Sequence, residues 1–173
     1  MTYRPRATDK RATILTVFAL CGAVFCFLFS GAVEQLVVLY QLGGFVLALV
    51  GIQLYLKFVQ CEYVYEVTDN DLKIHRVIGK KTSCVCSMAL EESVTGVLGL
   101  AYAEKQKAAI PKFQISLNYC KNVFSDDYAL YFFNFNGRIA RLKFEPDEAF
   151  AACVNQKITD AKKRAAMGEN EDE

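Results

Sequence analysis

The chain has 173 residues, 53% of them hydrophobic, and a formal net charge of +1, which suits one modest domain beside a membrane segment. That near-neutral balance removes any global electrostatic case for nucleic acid or strongly acidic partners, and the single histidine, His75, excludes a multi-histidine metal site. Seven cysteines, odd in number and irregular in spacing, argue against a secreted disulfide framework and read as small buried thiols in a reducing compartment.

Residues 1–11 make a basic N-terminus with Arg4, Arg6, Lys10 and Arg11. From Ala12 to Val59 the sequence is nearly all apolar, broken only at Ser30-Gly31-Ala32-Val33-Glu34-Gln35. A bilayer core about 30 Å thick needs roughly 20 apolar residues in a helix. Residues 12–33 and 36–59 each meet that length, so residues 12–60 read as a transmembrane helical hairpin with a very short turn. Lys57 sits near one end, where its ammonium can snorkel, and Tyr40 and Tyr55 sit where rings favour the headgroup level. The first run also invites reading as a cleaved signal peptide, but it is longer than a signal core and a second span follows at once.

Arginine and lysine flank the outer ends of the hairpin, while the turn carries Glu34 and no cation. The positive-inside rule therefore expects both termini in the cytoplasm and a multi-pass protein of the inner or plasma membrane. Gly44, Ala48 and Gly51 form a small-residue stripe, and Ala19 and Ala23 another, suited either to packing within the hairpin or to a homo-oligomer through the helices. No ionisable group lies deep in either run, which favours an anchor over a pore or pump.

After Val59 the period changes from helical to alternating. Strands are expected at Glu62–Val67, Leu72–Ile78, Thr82–Leu90, Ser93–Leu98, Lys112–Tyr119, Tyr128–Phe135 and Arg138–Phe144. Thr68–Asp71 and Gly79-Lys80 mark turns, residues 99–111 a long loop, residues 120–127 another, and Asn136-Gly137 a type I′ hairpin. Cys84, Cys86, Met88 and Leu90 are expected on one face of the third strand. A helix then opens with Pro146 at its first position, carries Phe150, Val154, Ile158 and Ala161 on one face, and closes near Lys162, Lys163 and Arg164. The acidic tail, residues 166–173, has nothing to bury and is expected to be disordered.

The opening Tyr65-Glu66-Val67-Thr68-Asp69-Asn70-Asp71-Leu72-Lys73-Ile74 and the closing stretch from Asn136-Gly137 through Phe144-Glu145-Pro146-Asp147-Glu148-Ala149-Phe150 resemble a bacterial pleckstrin-homology-like (PH-like) domain of the kind attached to an N-terminal transmembrane helix pair. The resemblance implies an α+β membrane protein. Its helical hairpin would be followed, over residues 61–165, by a cytoplasmic seven-stranded antiparallel, partly open barrel capped by the C-terminal helix. Phosphoinositide-binding members of that family use basic residues around the first hairpin. Here that turn is acidic, and Lys73 and Arg76 fall on opposite faces, so the expectation is against inositol-lipid recognition.

Lys80, Lys81, Lys105, Lys107 and Lys112 could make a basic, leaflet-facing side, each adding about 1 kcal/mol near anionic lipid. Phe132 belongs to a strand with aromatics on both faces, which means either burial on both sides or an interaction surface for a partner. The C-x-C at Cys84 and Cys86 has no second pair and the wrong spacing for zinc. His75 near Asp71 lacks a nucleophile to complete a dyad, so a structural histidine is expected. With no nucleophile, paired carboxylates or phosphate loop, the expectation is a non-enzyme with no cofactor, no metal site and no nucleic-acid partner. It would act as a membrane-anchored scaffold or protein–protein interaction module, integral to the bilayer and holding a protein partner the sequence does not identify. The alternative is a small accessory or regulatory subunit of a larger membrane transport complex.

Overall fold

The computed structural model describes residues 1–5, 10–31, 36–99, 110–123 and 127–168. The chain divides into two compact units. One holds the two apolar helices; the other takes Met1–Arg6 together with Tyr63–Lys121 and Ser125–Glu173.

In the helical unit, α1 spans Arg11–Phe29 and α2 spans Val37–Leu54, and α2 runs on as a π-helical segment, Tyr55–Gln60. At about 1.5 Å per residue, the 19 residues of α1 reach about 28 Å, close to a bilayer core. The two helices pack on each other through the small residues. A Cβ on Gly44 would lie 3.2 Å from the Ala23 carbonyl oxygen and 3.2 Å from the Cys26 Cβ, and one on Gly51 would lie 3.0 Å from the Leu20 side chain. The two stripes thus meet within one hairpin. The hydroxyls are satisfied locally: Thr16 donates to the Ala12 carbonyl and Ser30 to the Phe27 carbonyl, both at 2.8 Å. The outward faces are large and apolar, with Phe18 and Leu28 each 75% exposed and Val38 78% exposed. A soluble core helix would have these covered. The expected turn residues 32–35 lie outside the described set.

The second unit is built from two open four-stranded sheets and one helix. Sheet A has the order β1 (Thr2–Tyr3), β2 (Cys61–Val67), β3 (Asp71–Ile78), β4 (Lys81–Ala89). Sheet B has the order β5 (Leu98–Gly99), β7 (Ala129–Phe135), β8 (Arg138–Phe144), β6 (Ile115–Asn118). Helix α3 spans Glu148–Gly168.

Four features depart from the expected strand plan. The first is β1. The amine of Met1 donates to the Val67 carbonyl and the Val67 N–H donates to the Met1 carbonyl, both at 2.9 Å, and the Tyr3 ring lies against Phe150 at 5.8 Å between centroids. A strand of two residues, Thr2-Tyr3, is too short to give a periodic signal. The second is direction: β6 pairs parallel with β8, Ile115 opposite Ala140 and Asn118 opposite Lys143, in a body expected to be wholly antiparallel. Alternation fixes which face a side chain takes but says nothing of strand partner or direction.

The third departure is Ser93–Leu98, which is not a continuous strand. It makes one bridge, Ser93 to Phe133, and then the short β5. Between them Val94 and Thr95 both aim their N–H groups at the Phe132 carbonyl, at 2.9 and 3.3 Å, and the Asn155 side chain accepts from the Val97 N–H at 2.7 Å. The fourth is a bulge in β4. Ile74 pairs with Cys86 and His75 with Cys84, leaving Val85 over. Consecutive residues of β3 point to opposite faces, so their partners do too, and Cys84 and Cys86 do not share a face as expected.

The Asn136-Gly137 turn is as expected: both residues have positive φ, 51° and 74°, as a type I′ turn requires. Asp147, not Pro146, starts the last helix, its carboxylate accepting the Phe150 N–H at 2.7 Å as an N-cap. The helix stripe is as read, with Phe150, Val154, Ile158 and Ala161 all buried. The outer turn of α3 also holds the β2–β3 turn: Lys157 pairs with Asp69, and Arg164 donates to the Asp69 carbonyl at 2.6 Å and to Asn70 Oδ1 at 3.1 Å. Residues 100–109, within the expected long loop, and the tail beyond 168 lie outside the described set.

Candidate functional site

The two sheets each end in a strand with a neighbour on one side only: β4 in sheet A and β6 in sheet B. Between them is a cleft of about 300 Å³. Its geometry follows from strand period. On β6 the two-residue repeat puts Ile115, Leu117 and Tyr119 toward the cleft and leaves Ser116 and Asn118 exposed. Phe133, Phe135 and Ala140 form its floor from β7 and β8, and Val85, Cys86 and Ser87 its wall from β4.

The Tyr119 hydroxyl donates to the Val85 carbonyl across it at 3.4 Å. Phe135, among its lining residues, is 48% exposed. The polar groups inside are few. Burial pushes the Cys86 thiol above its ordinary value, the neighbouring Cys84 pushes the same way, and the Tyr119 hydrogen bond opposes both. Burial likewise raises the Tyr119 phenol, Cys86 adds to that, and the charge of Arg76 acts against it. A thiol held neutral is a poor nucleophile. The cleft is suited to holding an apolar group.

The strands that line it carry no acidic residue within their spans. No aspartate or glutamate occurs from Leu72 to Leu90, from Lys112 to Ser125 or from Tyr128 to Phe144. Strands β4, β6, β7 and β8 are therefore free of acid. Arg76 continues the face of buried Ile74 beyond the core. Lys81 is the register partner of Ile78 on that same face, and Arg138 is the register partner of Phe135, which lines the cleft. All three cations are exposed.

Of the lysines singled out from sequence, three lie within the described residues. Lys80 and Lys81 are exposed at the β3–β4 hairpin and Lys112 is exposed before β6. Lys105 and Lys107 lie outside the described residues. Phe132 is fully buried, packed with Leu130 against Leu98, Ile110, Tyr128 and Ile139, so of the two readings of that strand burial on both sides is the one found. Sequence reasoning weighs Arg76 only against Lys73 and passes over Arg138. The signal that could have found them is the acid-free run of residues 72–90 and 128–144, visible in the sequence as a local charge block.

Other features are structural. His75 Nε2 lies 2.9 Å from Glu66 Oε2 on the outer face of sheet A, rather than beside Asp71. The Ser93 and Tyr131 hydroxyls share a buried hydrogen bond, and burial pushes the Tyr131 phenol up to about 12. A shallower groove of about 610 Å³ beside β5 and α3 includes Val97, Asn155 and Ile158, which are already engaged in the helix packing seam. Among the described residues no three His, Cys, Asp or Glu side chains are grouped to share a metal ion, and the cysteines are all free thiols.

No family model, curated protein or solved structure matches the chain.

Proposed function

We propose that the chain is a non-catalytic, membrane-anchored interaction module: a transmembrane helical hairpin carrying a PH-like body on the cytoplasmic face. The observation that carries this reading is that both ends of the helical segment enter the same body. Residues Thr2–Tyr3 supply β1 and residues from Cys61 onward supply the rest of that sheet. If the helices cross a membrane, they cross it an even number of times and leave the whole body on one side. The large apolar outward faces of α1 and α2 support the crossing, and the cations Arg4, Lys10, Arg11 and Lys57 at the body ends support the cytoplasmic side. The two open sheets with a helix whose apolar stripe is buried on them support the PH-like assignment.

Tethering then supplies the mechanism. A body held at a leaflet meets membrane-bound partners at a raised effective concentration without any new contact. The test is topology in intact cells. The protein should stay in the membrane pellet after alkaline carbonate extraction. A cysteine placed by Glu34→Cys should react with a membrane-impermeant maleimide from outside, and Cys84 only after permeabilisation. Release by carbonate, or labelling of both from the same side, would refute the anchor. Exchange of the helices for an unrelated hairpin should preserve function; its loss would show that the helices are themselves a working interface.

A further inference from the structure

We propose that Cys84, His75 and Glu66 form a thiol–disulfide exchange site on the outer face of sheet A, at which Cys84 is thiolated by a low-molecular-weight disulfide such as glutathione disulfide. This goes beyond the interaction-module reading and does not rest on the helices crossing a membrane.

The three groups come from three strands, β2, β3 and β4. Glu66 Oε2 lies 2.9 Å from His75 Nε2 and holds the ring, and the register adds a third group, because His75 is the partner of Cys84. The bulge makes that pairing. From Asp71 opposite Ala89 to Ile74 opposite Cys86 the register is unbroken, and continued by one residue it would set Val85 opposite His75. The extra residue puts Cys84 there instead. Bulges commonly re-aim a side chain beside a working site. A carboxylate, an imidazole and a thiol thus stand in a row across the sheet. β4 has a neighbour on one side only and Cys84 is exposed, so a small disulfide reaches it from solvent.

Each group has a role. Glu66 occupies Nε2, and among the described residues Nδ1 has no hydrogen-bond partner, which leaves it for the thiol. At rest Cys84 Sγ donates to the Cys86 carbonyl at 3.4 Å. Directly paired residues of an antiparallel sheet have Cβ atoms about 4.5–5.5 Å apart, so a change of χ1 rotamer carries Sγ from that carbonyl to the imidazole. The thiol proton then passes to Nδ1, and the Glu66 carboxylate stabilises the imidazolium. The thiolate attacks one sulfur of the incoming disulfide. A new S–S bond forms at Cys84, the old one breaks, and its electron pair leaves on the second sulfur, which takes the proton from His75. One disulfide is consumed, one mixed disulfide and one thiol are formed, and no further oxidant is needed. The other charged groups on this face are Glu62 on β2 and Asp71 and Lys73 on β3, the last two paired with each other at 3.5 Å. β4 adds none there, since Lys81 pairs with Ile78 on the opposite face.

The full chain in phosphatidylcholine nanodiscs is treated with glutathione disulfide, and the initial rate of mixed-disulfide formation at each cysteine is followed by peptide mass spectrometry. The comparator is a free peptide of residues 80–90 carrying Cys86→Ser. At pH 7 Cys84 should react about threefold faster in the protein than in the peptide, although folding by itself only hinders access. The gain is no larger because a thiolate formed at lower pH is also a weaker nucleophile. His75→Gln should remove the gain at pH 7 and be no slower than the parent chain at pH 10, where a cysteine thiol ionises unaided. Glu66→Gln should lose part of the gain. Lys73→Gln removes a cation from the same face and should change the rate less than twofold. Unchanged alkylation of Cys86, which faces the cleft, marks each variant as folded, and His75→Asn replaces His75→Gln if that variant fails this check. Reaction no faster than in the peptide, an equal loss at pH 7 and pH 10 in the His75 variant, or as large a loss in Lys73→Gln overturns the proposal.

Discussion

The hydroxyl of Tyr65, on β2, donates to the carbonyl of Tyr119, just past β6, at 2.9 Å, and so ties sheet A to sheet B through the middle of the core. The same hydroxyl accepts the Glu145 N–H at 3.3 Å, and the ring is edge-on to Phe144 at 5.3 Å. Tyr65 is fully buried, and burial pushes its phenol far above the ordinary range, so it stays protonated and remains a donor. Tyr65→Phe keeps the ring and removes both bonds. It should destabilise the body by about 1–3 kcal/mol, because it leaves a buried carbonyl and a buried N–H without this partner. Thermal unfolding of the full chain followed by circular dichroism measures the loss.

The helix hairpin makes a graded prediction over three glycines. At Gly43 a Cβ meets nothing within 4 Å, so Gly43→Ala should be neutral or slightly stabilising. At Gly51 the near neighbours are Leu20 Cγ and Cδ2 at 3.0 Å and the Ala19 Cβ at 3.4 Å, so the leucine has to shift before alanine fits and the cost should be intermediate. At Gly44 two of the neighbours are the Ala23 carbonyl oxygen and the Cys26 Cβ, which cannot retreat without moving α1. Gly44→Ala should therefore cost about 1–3 kcal/mol, the usual range for overpacking. Helix-hairpin stability in detergent, ranked across the three variants, checks the order.

Cys86 should behave as a hindered, late-ionising thiol. Burial and the neighbouring Cys84 raise its pKa above the ordinary 9.0. The thiolate is the reacting form, so its alkylation rate should reach half its maximum only above that pH. Val85→Gly or Tyr119→Phe leaves the charge pattern alone; the second removes the opposing hydrogen bond and should move the profile higher still. A profile centred below 9.0 would contradict the burial described for the cleft.

Asp69 sets an acid limb. The Lys157 ammonium beside it, helped by Arg164, holds the Asp69 carboxyl below its ordinary 3.8. A folded pKa below the unfolded one gives a contribution that is present in full above about pH 3.8 and is lost as pH falls through the folded value. Asp69→Asn should therefore lower the unfolding midpoint at pH 6 and make little difference at pH 2. The effect should shrink in high salt, because the carboxylate is open to solvent.

Much of the body was readable because its signals are local. The alternation of Leu72, Ile74 and of Tyr131, Phe133 reports a buried face, Asn136-Gly137 reports a turn that only certain residues tolerate, and the spacing of Phe150, Val154 and Ile158 reports a helix with one covered side. The features that escaped are relations between distant residues. Nothing in Ile115–Asn118 announces that its partner is β8 or that the pairing is parallel. Nothing near Val85 announces a bulge, which turns Cys84 away from Cys86. The cleft is such a relation: Ile115, Leu117 and Phe135 each read as core, and only the separation of β4 from β6 leaves them facing space.

The pairing of Thr2 with Glu66 and Tyr3 with Tyr65 also imposes an order of assembly. Closing that contact joins chain positions 66 residues apart, with both apolar helices inside the loop. The N-terminal segment has to wait, unpaired, until β2 is available, and β2 follows both helices in the chain. Sheet A therefore cannot be completed by a chain whose hairpin has gone astray and left its two ends apart. A bulky fusion ahead of Met1 should therefore slow the completion of sheet A while leaving the pairing of β2, β3 and β4 unaffected.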